Sequence, residues 1–156
     1  MKNFKNKVAA ITGAGSGIGQ QLAVLLAKQG CHLSLSDVNA QGLAQTVELL
    51  EKSNVRVTTQ KLDVADRDAM KLWAADTVQH HGSVNMIFNN AGVALGSTVE
   101  GASYEELEWI VNINFWGVVY GTKEFLPLIK KSGEGHIINI SSLFGLTAQP
   151  TQSAYN

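Results

Sequence analysis

The residues in this sequence with types and spacing suited to chemistry begin with Thr12-Gly13-Ala14-Gly15-Ser16-Gly17-Ile18-Gly19. Ahead of this run, Val8–Thr12 is short and apolar and reads as a buried strand. Behind it, residues 17–29 are rich in helix formers. A glycine-rich turn from strand to helix aims free backbone N–H groups, and the positive end of the helix, at whatever sits above it. That is an anion site, and a pyrophosphate fits it. Gly13, Gly17 and Gly19 make a G-x-x-x-G-x-G spacing, with Gly15 in addition. The general dinucleotide fingerprint is G-x-G-x-x-G, and its third glycine would fall on Ile18. A glycine-rich turn alone is a weak signal that a flexible loop can also give; the flanking strand and helix favour the anion reading.

Asp37 stands 18 positions after Gly19, at the end of a second strand pattern. A carboxylate there can accept both ribose hydroxyls of an adenosine and repel a 2′-phosphate. It could equally cap the next helix. Neither Ser16 nor Val38 is basic, so neither can receive a 2′-phosphate, and charge favours NAD over NADP.

The elements that must position these groups alternate. Strand patterns at residues 8–12, 32–37, 55–62, 84–88 and 136–140 are separated by helical patterns at 17–29, 39–50, 68–80 and 105–131. Gly30 and Gly82 are placed to end helices, Asp66 can cap one, and Ser103 with Glu106 has capping-box spacing. Strands alternating with helices of a dozen residues predict an α/β fold, a doubly wound parallel sheet with helices on both faces. Right-handed crossovers predict the order 3-2-1-4-5, with ligands at the carboxyl ends of the strands near the switch between strands 1 and 4.

The bulk numbers exclude several classes. The 156 residues favour one domain over 1–156, with 45% hydrophobic and 16% charged residues and a net charge of −1. No basic block or long apolar run is present, which argues against nucleic acid and membrane as partners and predicts a cytoplasmic protein. The single cysteine, Cys31, falls in a strand and reads as a small core residue. His80 and His81 end a helix, while His32 and His136 start strands; they read as solvated or capping residues, and no metal site is expected. Trp73, Trp109 and Trp116 fall at helical positions and read as core or interface.

Thr12–Gly19, Asn89-Asn90-Ala91-Gly92, Asn114 followed by Gly117, and Ser142 with Tyr155 together resemble the short-chain dehydrogenase/reductase family, from about residue 5 to the end of the chain. The resemblance implies a Rossmann-type fold and an enzyme that uses NAD or NADP to interconvert alcohols and carbonyls. It assigns Gly13, Ser16, Gly17, Ile18 and Gly19 to the pyrophosphate turn, Asp37 to the ribose, and Asp63 with Val64 to the adenine. Asn90, Ala91 and Gly92 resemble the segment that stabilises the central sheet and lines the cofactor cleft. Asn114 resembles the catalytic asparagine that holds a water in a proton relay. Ser142 resembles the serine on the substrate oxygen, and Tyr155 the acid/base.

These residue types suit the chemistry without the family. Hydride transfer to a ketone leaves an alkoxide that needs a proton; a tyrosine can donate it and a serine hydroxyl can stabilise the oxygen. Tyr155 alone would read as packing, and its spacing of 13 from Ser142 reverses that. Leu143, Phe144, Leu146, Pro150, Val93 and Leu95 are expected near the cleft mouth, which predicts a small alcohol or carbonyl substrate with an apolar body. By resemblance, a homodimer or homotetramer pairs through the long helix at 105–131. A dinucleotide-binding sensor or scaffold without turnover is the alternative; retention of Ser142, Asn114 and Tyr155 favours the enzyme. The family's tyrosine is followed four positions later by a lysine, while this sequence stops at Asn156, one residue after Tyr155. The expectation is a longer natural chain that supplies the lysine, and a 156-residue piece that is inactive alone.

Overall fold

In the computed structural model, which describes residues 3–155, β1 (Val8–Thr12), β2 (His32–Asp37), β3 (Val57–Lys61), β4 (Met86–Asn89) and β5 (His136–Asn139) pair in parallel. Their spatial order is 3-2-1-4-5. The expected domain bounds of 1–156 include Met1, Lys2 and Asn156, which lie outside the described residues. Helices α1 (Gly17–Lys28), α2 (Ala40–Leu50), α3 (Arg67–His81), α4 (Tyr104–Val111) and α5 (Gly117–Lys131) connect the strands.

The sheet is buried because its central strands are apolar on both faces, as parallel strands covered by helices must be. Every residue of β1 and of β4 is buried. Successive side chains of β1 go to opposite sides. Ala9 and Ile11 join Leu33, Leu35, Leu26, Leu43 and Phe88 in one cluster, against α1 and α2. Val8 and Ala10 join Ile87, Met70, Trp73, Phe125 and Ile129 in the other, against α3 and α5. Trp73 meets Phe125 edge-on at 5.0 Å, and its indole N–H donates to Ser34 Oγ at 2.9 Å. Burying a side chain the size of Phe125 is worth about 1.5–3 kcal/mol.

β1 pairs with β2 on one side, Thr12 opposite Ser36, and with β4 on the other, Ile11 opposite Phe88. The chain therefore leaves β1 and β4 side by side at their carboxyl ends, the expected ligand crevice.

Most expected boundaries hold to within a residue or so, and three elements differ for a physical reason. The continuous helix expected at 105–131 is broken: Asn112–Trp116 forms a π-helical segment between α4 and α5, and Gly117 N donates to Asn112 O across five residues. Strand 4 runs 86–89 rather than 84–88, because Asn85 spends its side chain as a staple. Its Oδ1 accepts from Val8 N at 3.0 Å, and its Nδ2 donates to Glu134 O at 3.2 Å. Strand 3 is shorter than 55–62, although backbone bonds continue past both ends: Leu33 N donates to Arg56 O, and Leu62 N to Asp37 O.

Candidate active site

The turn after β1 carries two backbone conformations that side chains resist, at Gly13 (φ +65°) and Gly17 (φ +51°). Gly19, one step into the helix, has a different constraint. A Cβ there would strike the carbonyl oxygen of Gly13 and stand 2.6 Å from Asn90 Nδ2. The first turn of α1 is thereby pulled against the end of β1. α2, α3 and α4 each have a side-chain cap, from Asn39, Asp66 and Ser103. Ser16 leads into α1 with no side-chain cap bond, and no acidic residue sits in the first turn. The free N–H groups and the positive end of the helix dipole are left for an anionic ligand.

Thr12 and Asn90 clasp the neighbouring ends of β1 and β4. Thr12 Oγ1 accepts from the backbone N–H of Asn90 at 2.9 Å and of Ala91 at 3.0 Å. Asn90 Nδ2 donates to Thr12 O at 2.9 Å. Sequence reading left Thr12 without a role; its signal is a hydroxyl residue ending an otherwise apolar strand.

A cleft of about 350 Å³ opens over this clasp. Gly13, Ser16, Gly17, Ile18, Asp37, Asp63, Val64, Asn90, Ala91 and Gly92 all line it. Of the expected cofactor residues only Gly19 does not, because it works from beneath through its missing side chain. Leu62, Val93 and Ile113 add apolar walls; Leu62 and Ile113 were not singled out in the sequence, where they look like ordinary core residues.

The half-buried Asp37 carboxylate is fixed by two backbone donors: Oδ2 accepts from Gly15 N at 2.8 Å, and Oδ1 from Asn39 N at 2.8 Å. The helix cap proper is Asn39, whose side chain accepts from Gly42 N at 3.0 Å. Each Asp37 oxygen keeps a second acceptor site, so the oriented carboxylate can take two further hydroxyls. The lining holds two carboxylates, Asp37 and Asp63, and no lysine or arginine. Asp63 Oδ1 accepts from Ala65 N at 2.9 Å, which orders the chain entering α3.

Asn114 lies in the π-helical segment. Its Oδ1 accepts from Val93 N at 2.9 Å, and its Nδ2 donates to Val93 O at 2.8 Å. Further along that loop, Ser97 O accepts from Ser153 Oγ at 3.1 Å, and Ser97 forms a bridge with Gln152. The half-buried Tyr155 packs edge-on against Phe144, ring centres 6.2 Å apart, and Phe144 N donates to Ser142 Oγ at 3.2 Å. Ser142, three residues beyond the end of β5, leads into a 3-10 turn, Leu143–Gly145. The chain after β4, the π-helical segment and the chain after β5 are thus tied together by short contacts. Asn114, Ser142 and Tyr155 stand outside the lining of the cleft. Of the expected mouth residues Val93 lines it, while Leu143 and Leu146 are 67% and 85% exposed.

Two readings of titratable residues sharpen. Burial pushes the Cys31 thiol up to about 12, and its sulfur donates to Lys7 O at 3.3 Å, consistent with an inert core residue. His81 departs from the solvated or capping role expected for it: it is 6% exposed, and its Nε2 lies 3.0 Å from Thr58 Oγ1. Among the described residues, no group of three His, Cys, Asp or Glu could hold a metal ion, and no helix is long and apolar enough to cross a membrane.

The likeness to known proteins runs the length of the chain. SadH of Mycobacterium tuberculosis is 51% identical over 156 residues, which are all of this chain and 56% of that protein. Levodione reductase of Leifsonia aquatica is 34% identical over 155 residues, covering 97% of this chain and 58% of that enzyme. The chain therefore spans a little over half the length of these curated relatives. Among solved structures, a short-chain dehydrogenase/reductase from Burkholderia phymatum in complex with NAD superposes with a TM-score of 0.96 at 35% identity, covering 99% of this chain and 56% of that one. The doubly wound sheet is thus of the Rossmann type. The family model described as short chain dehydrogenase matches residues 7–156, and the chain belongs to that family.

Proposed function

We propose that the protein is an oxidoreductase that uses NAD to interconvert an alcohol and a carbonyl. The observation that carries this reading is the convergence of the uncapped start of α1 and the anchored Asp37 carboxylate on one cleft. The first suits a pyrophosphate and the second a ribose with both hydroxyls free. The absence of a basic residue from the lining favours NAD over NADP. The NAD in the related Burkholderia phymatum complex supports the cofactor class.

When bound, the nicotinamide ring supplies or takes the hydride. Proton transfer and orientation then fall to this chain. Tyr155 is the acid/base on the substrate oxygen. Ser142 Oγ already accepts from Phe144 N, so its own proton is available to that oxygen. Asn114 supports the proton relay from a side chain locked on Val93. Exposed Leu143 and Leu146 suit a substrate with an apolar body. Pairing of subunits through the face of α4 and α5 is supported by Phe115 and Trp116, 57% and 42% exposed on the π-helical segment that joins them.

The test is steady-state NADH consumption by the full natural chain with a panel of apolar ketones, beside Tyr155→Phe. Turnover abolished by Tyr155→Phe, with NADH affinity retained, supports the enzyme. Tight NADH binding without turnover in either protein supports a dinucleotide sensor instead.

A further inference from the structure

The first half of α2 lies closer to the glycine turn than side chains would allow. A Cβ on Gly42 would stand 2.6 Å from the carbonyl oxygen of Gly15 and 3.1 Å from its carbonyl carbon. A Cβ on Gly15 would meet Asp37 Oδ2 at 2.9 Å and the Gly42 carbonyl carbon at 3.3 Å. The two nearest obstacles facing Gly42 are main chain, which cannot swing aside as the next one, the Asn39 side chain at 3.2 Å, can. One helical turn on, Thr46 is fully buried. Its hydroxyl reaches Ala14 O at 2.8 Å and Gly42 O at 3.0 Å, and it accepts from Gln20 Nε2 at 3.0 Å. One hydroxyl proton serves one carbonyl at a time, and the shorter contact is the one to the turn. α2 therefore grips the turn at Ala14 and Gly15, and α1 at Gln20. Neither Gly42 nor Thr46 lines the cleft.

We propose that Gly42 and Thr46 are positioning residues for the adenosine end of the cleft. They act through Gly15, whose N–H holds the Asp37 carboxylate. They keep the turn at the one separation where its free N–H groups and that carboxylate face the same ligand. The inference rests on the dinucleotide reading above and names the recognised part as an adenosine ribose with an unsubstituted 2′-hydroxyl. A methyl group at Gly42 forces the turn away from α2 and releases Asp37 from Gly15. Loss of the Thr46 hydroxyl leaves Ala14 O and Gln20 Nε2 each without this partner. Asn114, Ser142 and Tyr155 lie on other elements, so the effect falls on cofactor KM and not on kcat.

The experiment measures NADH and NADPH dissociation constants by fluorescence titration of the full natural chain, beside thermal unfolding without cofactor. Gly42→Ala and Thr46→Val are compared with Thr46→Ser and with Leu50→Ala, which removes a buried side chain at the far end of α2. Losing a hydrogen bond to a charged group predicts a rise of about tenfold or more in the NADH dissociation constant for Gly42→Ala. Because NADPH makes less use of Asp37, the preference for NADH narrows. Thr46→Val weakens NADH binding in the same direction, and Thr46→Ser restores it. Leu50→Ala lowers the unfolding temperature without moving the dissociation constant. If Gly42→Ala does not fold, Thr46→Val decides alone. Native-like NADH affinity in Thr46→Val, or an equal loss of affinity in Leu50→Ala, overturns the proposal. A native chain that binds neither dinucleotide overturns the cofactor reading itself, before any variant is compared.

Discussion

Asn114 and Val93 are joined by two hydrogen bonds, Val93 N–H to Asn114 Oδ1 at 2.9 Å and Asn114 Nδ2 to Val93 O at 2.8 Å. A carboxamide can both accept and donate in this way, which an ionised carboxylate of the same shape cannot. The pair pins the π-helical segment to the chain leaving β4, where Gly92 comes close enough that a Cβ would stand 3.4 Å from Asn114 Oδ1. A π-helical turn is rare and costs regular backbone bonding, so the side-chain pair compensates for local irregularity.

Asn114→Asp separates position from chemistry. Its carboxylate keeps the shape and the bond from Val93 N, but sets a charged oxygen against Val93 O. The expected cost is about 1–3 kcal/mol of stability, together with loss of most turnover. Thermal unfolding and kcat are the readouts. Asn114→Asp with native kcat would remove this residue from the relay.

Under the NAD reading proposed above, Asp37 sets the choice of dinucleotide through charge. Asp37→Asn keeps an acceptor for Gly15 N but removes the repulsion toward a 2′-phosphate. NADH binding is expected to weaken and NADPH binding to strengthen, moving their ratio about tenfold, which corresponds to about 1.4 kcal/mol. Parallel titrations with both cofactors give that ratio. An unchanged ratio would return Asp37 to a purely structural role beside Asn39.

Gly19→Ala tests the approach of α1 to β1. The added methyl meets the Gly13 carbonyl and Asn90 Nδ2 first, and Asn90 is held by Thr12. Overpacking of this kind costs about 1–3 kcal/mol. The displaced turn should also weaken NADH binding. Urea unfolding and NADH titration on the same preparation show both losses; a variant with native midpoint and affinity would contradict the close approach.

The parallel sheet and its order were legible because apolar runs and helical patterns alternate strictly, and local periodicity carries that signal. The cleft was legible in its glycines and in Asp37 because chemistry restricts their types. The π-helical break was not, because Asn112-Ile113-Asn114-Phe115-Trp116 contains neither glycine nor proline and its register is set by contacts to Val93. Gly42 was equally hidden: early in a helix it reads as a weak helix former, and only its distance to Gly15 gives it meaning. The burial of His81 is also a tertiary effect, since its partners Thr58, Arg56 and His32 come from β2, β3 and the chain before β3.

That burial gives the fold a pH dependence. His81 is lowered from its ordinary 6.5 to about 4, chiefly by burial and then by the positive charge of Arg56, with His32 and His80 adding and Asp76 opposing. Arg56 Nη2 donates to His81 O at 3.3 Å, so the cation is held close, and the His32 ring lies 6.4 Å away. Above pH 6.5 the ring is neutral in both folded and unfolded chains, and its titration changes nothing. Between 6.5 and about 4 the unfolded chain binds a proton that the folded chain refuses, so stability falls as pH falls. Below about 4 the loss is complete. The loss is on the order of 3 kcal/mol at most, since one pKa unit corresponds to about 1.4 kcal/mol. His81→Gln can keep the bond to Thr58 without titrating. Urea midpoints at pH 7.5, 6, 5 and 4 should fall more steeply for the native chain than for this variant. Parallel curves would show that the acid sensitivity, if any, resides elsewhere.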